Sequence, residues 1–199
     1  MWSNGVDDDR TVGYVITGTR GSGKTTVAQM LTRGSGSIGR VPSVTTRPPR
    51  PDDRRDTYFH LAEHEFDALA ADGRLILVGT YGAARYGIVA DSIDAELRAG
   101  RRPLLTVSPD AAAALVAGAR PVRWRGAFLD ARDDLLDGRL RAAGRAARAQ
   151  DRRQRVADRA FAGPPLTVVR NDGPLSDAVR RVRRLFDLAD AGSSPGQLH

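Results

Sequence analysis

Apolar residues in this chain gather in short runs separated by glycine, proline and charged stretches. The run Thr11 to Thr17, TVGYVIT, is β-branched and apolar and stops at a glycine, as a strand buried on both faces would. Gly18 to Gly23 turns the chain, and Lys24 to Arg33 then sets Val27, Met30 and Leu31 at helical spacing on one face. Further apolar runs lie at Pro103 to Val107, Val122 to Leu129 and Leu166 to Val169. Each precedes a helical pattern, at Pro109 to Val116, Ala131 to Arg141 and Leu175 to Ala189. Strand and helix alternating in this way predict an α/β fold, a parallel sheet with helices on both faces.

Between residues 34 and 100 the pattern changes. Gly34 to Gly39 reads as a Gly/Ser linker, and VPSVTTRPPRPDDRRDTYFHL joins short extended pieces to prolines that exclude a helix. The one clear helix here is Ala62 to Ala71, with Phe66 and Leu69 facing inward. The expected organisation is a core from 11–39 and 89–190, an inserted β-rich lobe at 40–88, and flexible tails at 1–10 and 191–199.

Composition narrows the setting. With 199 residues, 41% of them hydrophobic, one domain can bury a real core. No apolar run reaches membrane-spanning length, the start MWSNGVDDDR is polar and acidic, and cysteine is absent, so we expect a soluble cytoplasmic protein without membrane contact, disulfides or thiolate metal sites. The net charge of +7 could suggest nucleic acid, but the arginines are interleaved with acids and aromatics make up only 6%, leaving few surfaces for base stacking. Small phosphorylated ligands account for the same excess. The unit is expected to be a monomer or homodimer.

The stretch GTRGSGKTT, residues 18 to 26, carries the sole lysine of the chain. Gly18, Gly23, Lys24 and Thr25 satisfy G-x-x-x-x-G-K-[ST], and Arg20, Gly21, Ser22 and Thr26 complete the loop. In such a loop backbone N–H groups wrap a polyphosphate, the helix start adds its positive dipole end, the lysine bridges the outer phosphates and the threonine hydroxyl binds Mg²⁺. A compact ammonium fits where a planar guanidinium cannot, so a chain that otherwise uses arginine keeps lysine here. The expected ligand is ATP.

A second anion site is expected at TTRPPR, residues 45 to 50. Prolines 48, 49 and 51 stiffen the backbone, so Arg47 and Arg50 lose less entropy when they clamp a terminal phosphate.

With these motifs in hand, the chain resembles the guanylate kinase family from about Val12 to Ala189. GTRGSGKTT, SVTTRPPRP, DTYFHL, the YGI of residues 86 to 88, an arginine-rich segment and VVRND follow in the family's order. The resemblance implies a P-loop kinase fold whose parallel-sheet core binds ATP, with a small β-rich lobe for the monophosphate acceptor and an arginine-bearing lid. It places the acceptor phosphate on Arg47, Arg50, Tyr58 and Tyr86, and Asn171 beside ATP.

At the base-reading positions the resemblance breaks. Ser43 matches one family serine, but the glutamate position is Leu77, the other serine is Ile88, and the aspartate position is Ser108, with Thr106 two before it. Guanine donors facing Leu77 would cost roughly 1 to 3 kcal/mol per unpaired group. A modified or different base, or a sugar phosphate without a base, fits better than GMP. The ribose 1,5-bisphosphate phosphokinases look similar as well, sharing the phosphate loop, the Tyr-Gly-Ile segment and Asn171-Asp172-Gly173. A non-catalytic guanylate kinase-like binding module is the third reading.

The lid is expected at 137–159, DGRLRAAGRAARAQDRRQRVADR, where Arg139, Arg145 and Arg155 match the family's lid arginines. Most arginines in this run read as a solvated face. The implied reaction moves the γ-phosphoryl group of ATP in line onto an acceptor phosphate oxygen, and Lys24 with the lid arginines neutralises the charge. Asp130 is a possible support for Mg²⁺, and the three histidines are assigned no chemistry.

Overall fold

The computed structural model describes residues 12–33, 35–50, 53, 56–118, 122–144 and 149–188. Both expected tails, Thr11, Pro51 and Arg145 lie outside them.

Five strands form an all-parallel sheet in the order β2 (Ile38–Arg40), β7 (Arg102–Thr106), β1 (Val12–Gly18), β8 (Arg123–Asp130) and β9 (Thr167–Arg170). Every residue of β1 is buried, which is why its sequence is almost wholly apolar with no alternation, and its one threonine, Thr17, satisfies its hydroxyl on the Val107 carbonyl at 2.8 Å. One apolar cluster joins Val12, Tyr14 and Ile16 to α1 (Lys24–Thr32) and α7 (Leu175–Leu185). The other joins Val15, Leu105 and Phe128 to α3 (Ala90–Arg98) and α4 (Pro109–Ala117). Covering both faces satisfies the apolar demand of a central parallel strand. Tyr14 brings a polar tip into this layer, and its hydroxyl donates to the Phe186 carbonyl at 3.0 Å and accepts from Arg102 Nη1 at 2.9 Å.

A second sheet has the order β4 (Tyr58–His60), β3 (Ser43–Thr45), β6 (Ala84–Val89) and β5 (Leu75–Tyr81). Phe66 of α2 (Glu63–Ala71) is fully buried, as its spacing predicts, and Leu69 is half-buried. Two elements depart from the sequence reading. The end of the Gly/Ser segment is the edge strand β2, because Ile38 buries its side chain and the backbone pairs with β7. Residues 90 to 98 form α3, whose apolar stripe is only Ile93 and Leu97 and is too thin to stand out among charges.

The order of the first sheet reverses around β1, with β7 on one side and β8 on the other. The crevice at the carboxyl ends of the strands near such a reversal is where open α/β sheets take ligands. Gly18, Thr106 and Asp130 end the three strands there.

Candidate active site

The loop between β1 and α1 is shaped by backbone that side chains cannot adopt freely. Gly18, Gly21 and Gly23 have φ of 134°, 86° and 93°. A Cβ on Gly18 would sit 1.9 Å from the Leu129 carbonyl oxygen, so this corner is closed to every other residue. The loop is pinned from behind. Thr19 Oγ1 donates to Asp130 Oδ1 at 2.9 Å, and Asn171 Nδ2 donates to the Ser22 carbonyl at 2.8 Å. Asn171 is itself set by its N–H on the Asp130 carbonyl and by Arg139 Nη2, which donates to its carbonyl at 2.8 Å.

Lys24 folds back over this loop, its Nζ donating to the carbonyls of Gly18 and Thr19 at 2.8 and 2.9 Å. Burial lowers its ammonium to about 8, opposed by the Asp158 carboxylate. Asp158 is 4% exposed, and burial raises its carboxyl although Gln154 donates to it at 2.9 Å.

Opposite this end stands the second cationic group. The Arg47 guanidinium lies 5.2 Å from the centre of the Tyr58 ring, and the Tyr58 and Tyr86 rings meet edge-on with centroids 6.4 Å apart. Burial alone would lower Arg47, but Asp53 and Tyr86 beside it carry it above the ordinary arginine value. Burial raises the Tyr58 hydroxyl, so it stays a neutral donor. The TTR segment is stitched to β6: Thr45 Oγ1 donates to the Arg85 carbonyl at 2.8 Å and accepts from the Arg47 N–H at 3.2 Å.

Both ends open into one cleft of about 960 Å³. Its phosphate-loop end is lined by Gly18, Arg20, Gly21, Gly23, Lys24, Thr25, Thr26, Arg139 and Asn171. Its other end is lined by Ser43, Arg47, Arg50, Tyr58, Leu77, Tyr86, Ile88 and Ser108. Ser22 is buried behind the loop and contributes its carbonyl, to Asn171, while its hydroxyl meets no partner among the described residues. Leu77 is turned by the irregular pairing between Ile76 and Gly79 and has φ 52°, a left-handed conformation that costs a branched residue energy and is tolerated where a side chain is re-aimed. It packs against the apolar cluster that contains Ile88, as Val107 also does, so an apolar patch lines the cleft beyond Arg47 and the two tyrosines.

The run expected as a lid is largely helical. It forms α5 (Asp133–Ala142) and α6 (Ala149–Arg159). Arg139 faces the cleft, whereas Arg155 is 1% exposed and bonds Asp137 at 2.6 Å, away from the cleft wall. Asp130 is likewise occupied: Arg159 Nε and Arg170 Nη1 each donate to Oδ2 at 3.0 Å, so it is committed to arginines and to Thr19. Sequence reasoning missed Asp151, Gln154 and Asp158, which α6 turns into the cleft. Their spacing of three and four residues was the available signal. Asp151 meets Arg20 at 2.5 Å. Asp53 and His60 were missed too: Asp53 stands among neighbouring charges in PDDRRD, and the histidines are assigned no chemistry from the sequence.

The phosphate loop fits a polyphosphate: its glycines keep the backbone clear of side chains, and Lys24 and the Thr25 hydroxyl line the cleft. Among the described residues no group of three or more His, Asp or Glu could hold a metal by itself. Thr25, which lines the cleft beside Lys24, is the residue that would hold a Mg²⁺ ion there. Among the same residues no helix is long and apolar enough to cross a membrane.

The sequence profile of the guanylate kinase family matches residues 10–161. The guanylate kinase of Sphingopyxis alaskensis is 32% identical over 136 residues, covering 68% of this chain and 62% of that protein. Those of Parasynechococcus marenigrum and Thermobifida fusca are 36% and 34% identical over 110 residues, 55% of this chain and 57% and 53% of theirs. The matches thus span between about half and two thirds of these relatives. Among solved structures, the guanylate kinase of Anaplasma phagocytophilum superposes with a TM-score of 0.67 at 20% identity, covering 88% of this chain and 85% of that one. A sugar kinase from Janibacter sp. gives 0.51 at 18% identity over 90% and 96%. With the profile matching well over half its length, and with a phosphate loop at the switch point of a parallel sheet, this chain belongs to the guanylate kinase family.

Proposed function

We propose that this chain transfers the γ-phosphoryl group of ATP to the phosphate of a nucleoside 5′-monophosphate whose base is not plain guanine. The observation that carries this reading is the pairing, across one cleft, of the Lys24 loop with the Arg47, Tyr58 and Tyr86 group, backed by an apolar wall at Leu77 and Ile88.

In this reading an acceptor phosphate oxygen attacks the γ-phosphorus, the bond to the β,γ-bridging oxygen breaks, and ADP leaves. A phosphate dianion is already nucleophilic, so no general base is needed and the side chains act by position and charge. Lys24 would swing from the Gly18 and Thr19 carbonyls to the outer phosphates, and Arg139 would reach them from α5. When bound on Thr25, Mg²⁺ would neutralise phosphate charge. Residues 40–88 would act as the acceptor lobe and 137–159 as the lid, in which Arg139 faces the cleft and Arg155 braces the helices.

The apolar wall also favours a second acceptor, a phosphorylated sugar with no base such as ribose 1,5-bisphosphate, because such a ligand leaves no ring donors unpaired against Leu77. A non-catalytic binding role is opposed by the retained Lys24 and Thr25. Coupled ADP release across GMP, dGMP, AMP, CMP, UMP and ribose 1,5-bisphosphate is the test. Turnover with AMP, CMP or UMP well above GMP and dGMP supports the reading, ribose 1,5-bisphosphate as the best acceptor supports the second one, and GMP or dGMP as the best acceptor refutes the altered base end.

A further inference from the structure

The loop that carries both acceptor arginines is organised by one carboxylate. Asp53 Oδ1 accepts from Arg47 Nη2 at 2.8 Å, and Oδ2 accepts from the Arg50 backbone N–H at 2.7 Å. His60 closes the arrangement. Its Nδ1–H donates to the Arg47 carbonyl at 2.7 Å, which leaves Nε2 3.2 Å from Asp53 Oδ2. The side chains of Arg47 and Asp53 are only 11% and 13% exposed, so their charge-assisted bond is shielded from water.

Arg47 has a fork of five donors. One is held by Asp53 and another by the Pro48 carbonyl at 2.9 Å, while the guanidinium plane stays over Tyr58 in the cleft. A carboxylate beside a phosphate site is unfavourable on charge alone, because it weakens the field that attracts a dianion. Its presence makes sense if fixing the fork and the Arg50 turn gains more than the lost attraction.

Resting on the phosphate-acceptor reading above, we propose that Asp53, with His60 holding the Arg47 backbone beside it, is the positioning residue of the acceptor clamp, keeping the Arg47 guanidinium and the Arg50 backbone in the geometry that receives the phosphate. Charge and position predict opposite signs for its removal. As a mere charge, Asp53 lowers acceptor affinity and its loss raises it. As a positioning group, its loss weakens acceptor binding.

The test measures KM for the acceptor, KM for ATP and kcat in wild type, Asp53→Asn, Asp53→Glu and His60→Ala, using the acceptor that turns over best. Asp53→Asn should raise the acceptor KM by about tenfold, with kcat and the ATP KM changed by less than about twofold. Asp53→Glu should recover part of the loss, and His60→Ala should raise the acceptor KM by a smaller factor. An acceptor KM that falls or stays put in Asp53→Asn overturns the proposal and leaves the phosphate-acceptor reading standing. Loss of ATP binding in the same variant overturns it as well, since the role would then be general folding. If wild type turns over no phosphate-bearing acceptor, the parent reading fails and takes this one with it.

Discussion

Arg155 Nη2 donates to Asp137 Oδ1 at 2.6 Å with both side chains buried, and this pair fastens α6 to α5. Arg139, two residues beyond Asp137, instead faces the cleft and donates to the Asn171 carbonyl. The two arginines should therefore fail differently. Arg155→Ala leaves the buried Asp137 carboxylate with only the exposed Arg152 at 3.3 Å and should cost about 2 to 3 kcal/mol in denaturant unfolding, with kcat of the folded enzyme within about threefold. Arg139→Ala should leave stability within about 1 kcal/mol and lower kcat about a hundredfold.

The same pair sets an acid limit. The Arg155 bond holds the Asp137 carboxyl below the usual carboxylate range. A lowered folded-state value means that its stabilisation is present above the unfolded value, about 3.9, and is lost as pH falls through the folded one. Unfolding followed through acid should lose this contribution in Asp137→Asn, whose stability should vary less with pH below about 4 than that of wild type.

Lys24 gives a prediction at the alkaline side. Its value of about 8 lies below that of an unfolded lysine, so the folded protein binds fewer protons between about 8 and 10.4, and this group's contribution to stability rises with pH across that window. Phosphates favour the charged ammonium, so ATP binding should take up a proton near pH 8 and weaken above it. Calorimetry in buffers of different ionisation enthalpy reads this uptake directly, and it should vanish in Lys24→Ala, which should also lose turnover with every acceptor. A pH-independent ATP affinity between about pH 7 and 9.5 would speak against the assignment.

Asp130 gathers Thr19, Arg159 and Arg170 around one buried carboxylate at the end of β8. Asp130→Ala should cost about 2 to 3 kcal/mol and loosen the phosphate loop through Thr19. The expected signature is a raised ATP KM together with lower stability. A variant that folds as wild type yet loses its response to Mg²⁺ would assign Asp130 to the metal instead.

At the acceptor end, Leu77→Glu should raise GMP turnover selectively, because it restores a carboxylate at the apolar wall. The left-handed backbone at Leu77 limits the gain, since the new side chain inherits the same φ of 52°. No improvement with GMP relative to the other acceptors would show that this strand does not face the base.

Much of this architecture can be read from residue order. The central strands β1, β7 and β8 announce themselves by apolar runs, interrupted in β8 by Arg123 and Arg125, the largely exposed edge strand β9 by Val168 and Val169, and the phosphate loop by its glycines and its single lysine. The thin stripe of α3 and the Gly/Ser approach to β2 hide elements that only pairing and packing reveal. Within the arginine-rich run, composition cannot separate Arg139 from Arg155, because which one is buried depends on how α5 and α6 meet. Asp53 was hidden for a related reason: a carboxylate inside a charge run looks solvated until Arg47 and His60 close on it.

The central claim is that phosphate receives phosphate in this cleft, and ³¹P NMR of the product tests it most directly. A phosphoanhydride, seen as two mutually coupled resonances appearing with ADP, is the expected outcome. A lone uncoupled monoester resonance, the mark of transfer to a hydroxyl, would contradict it.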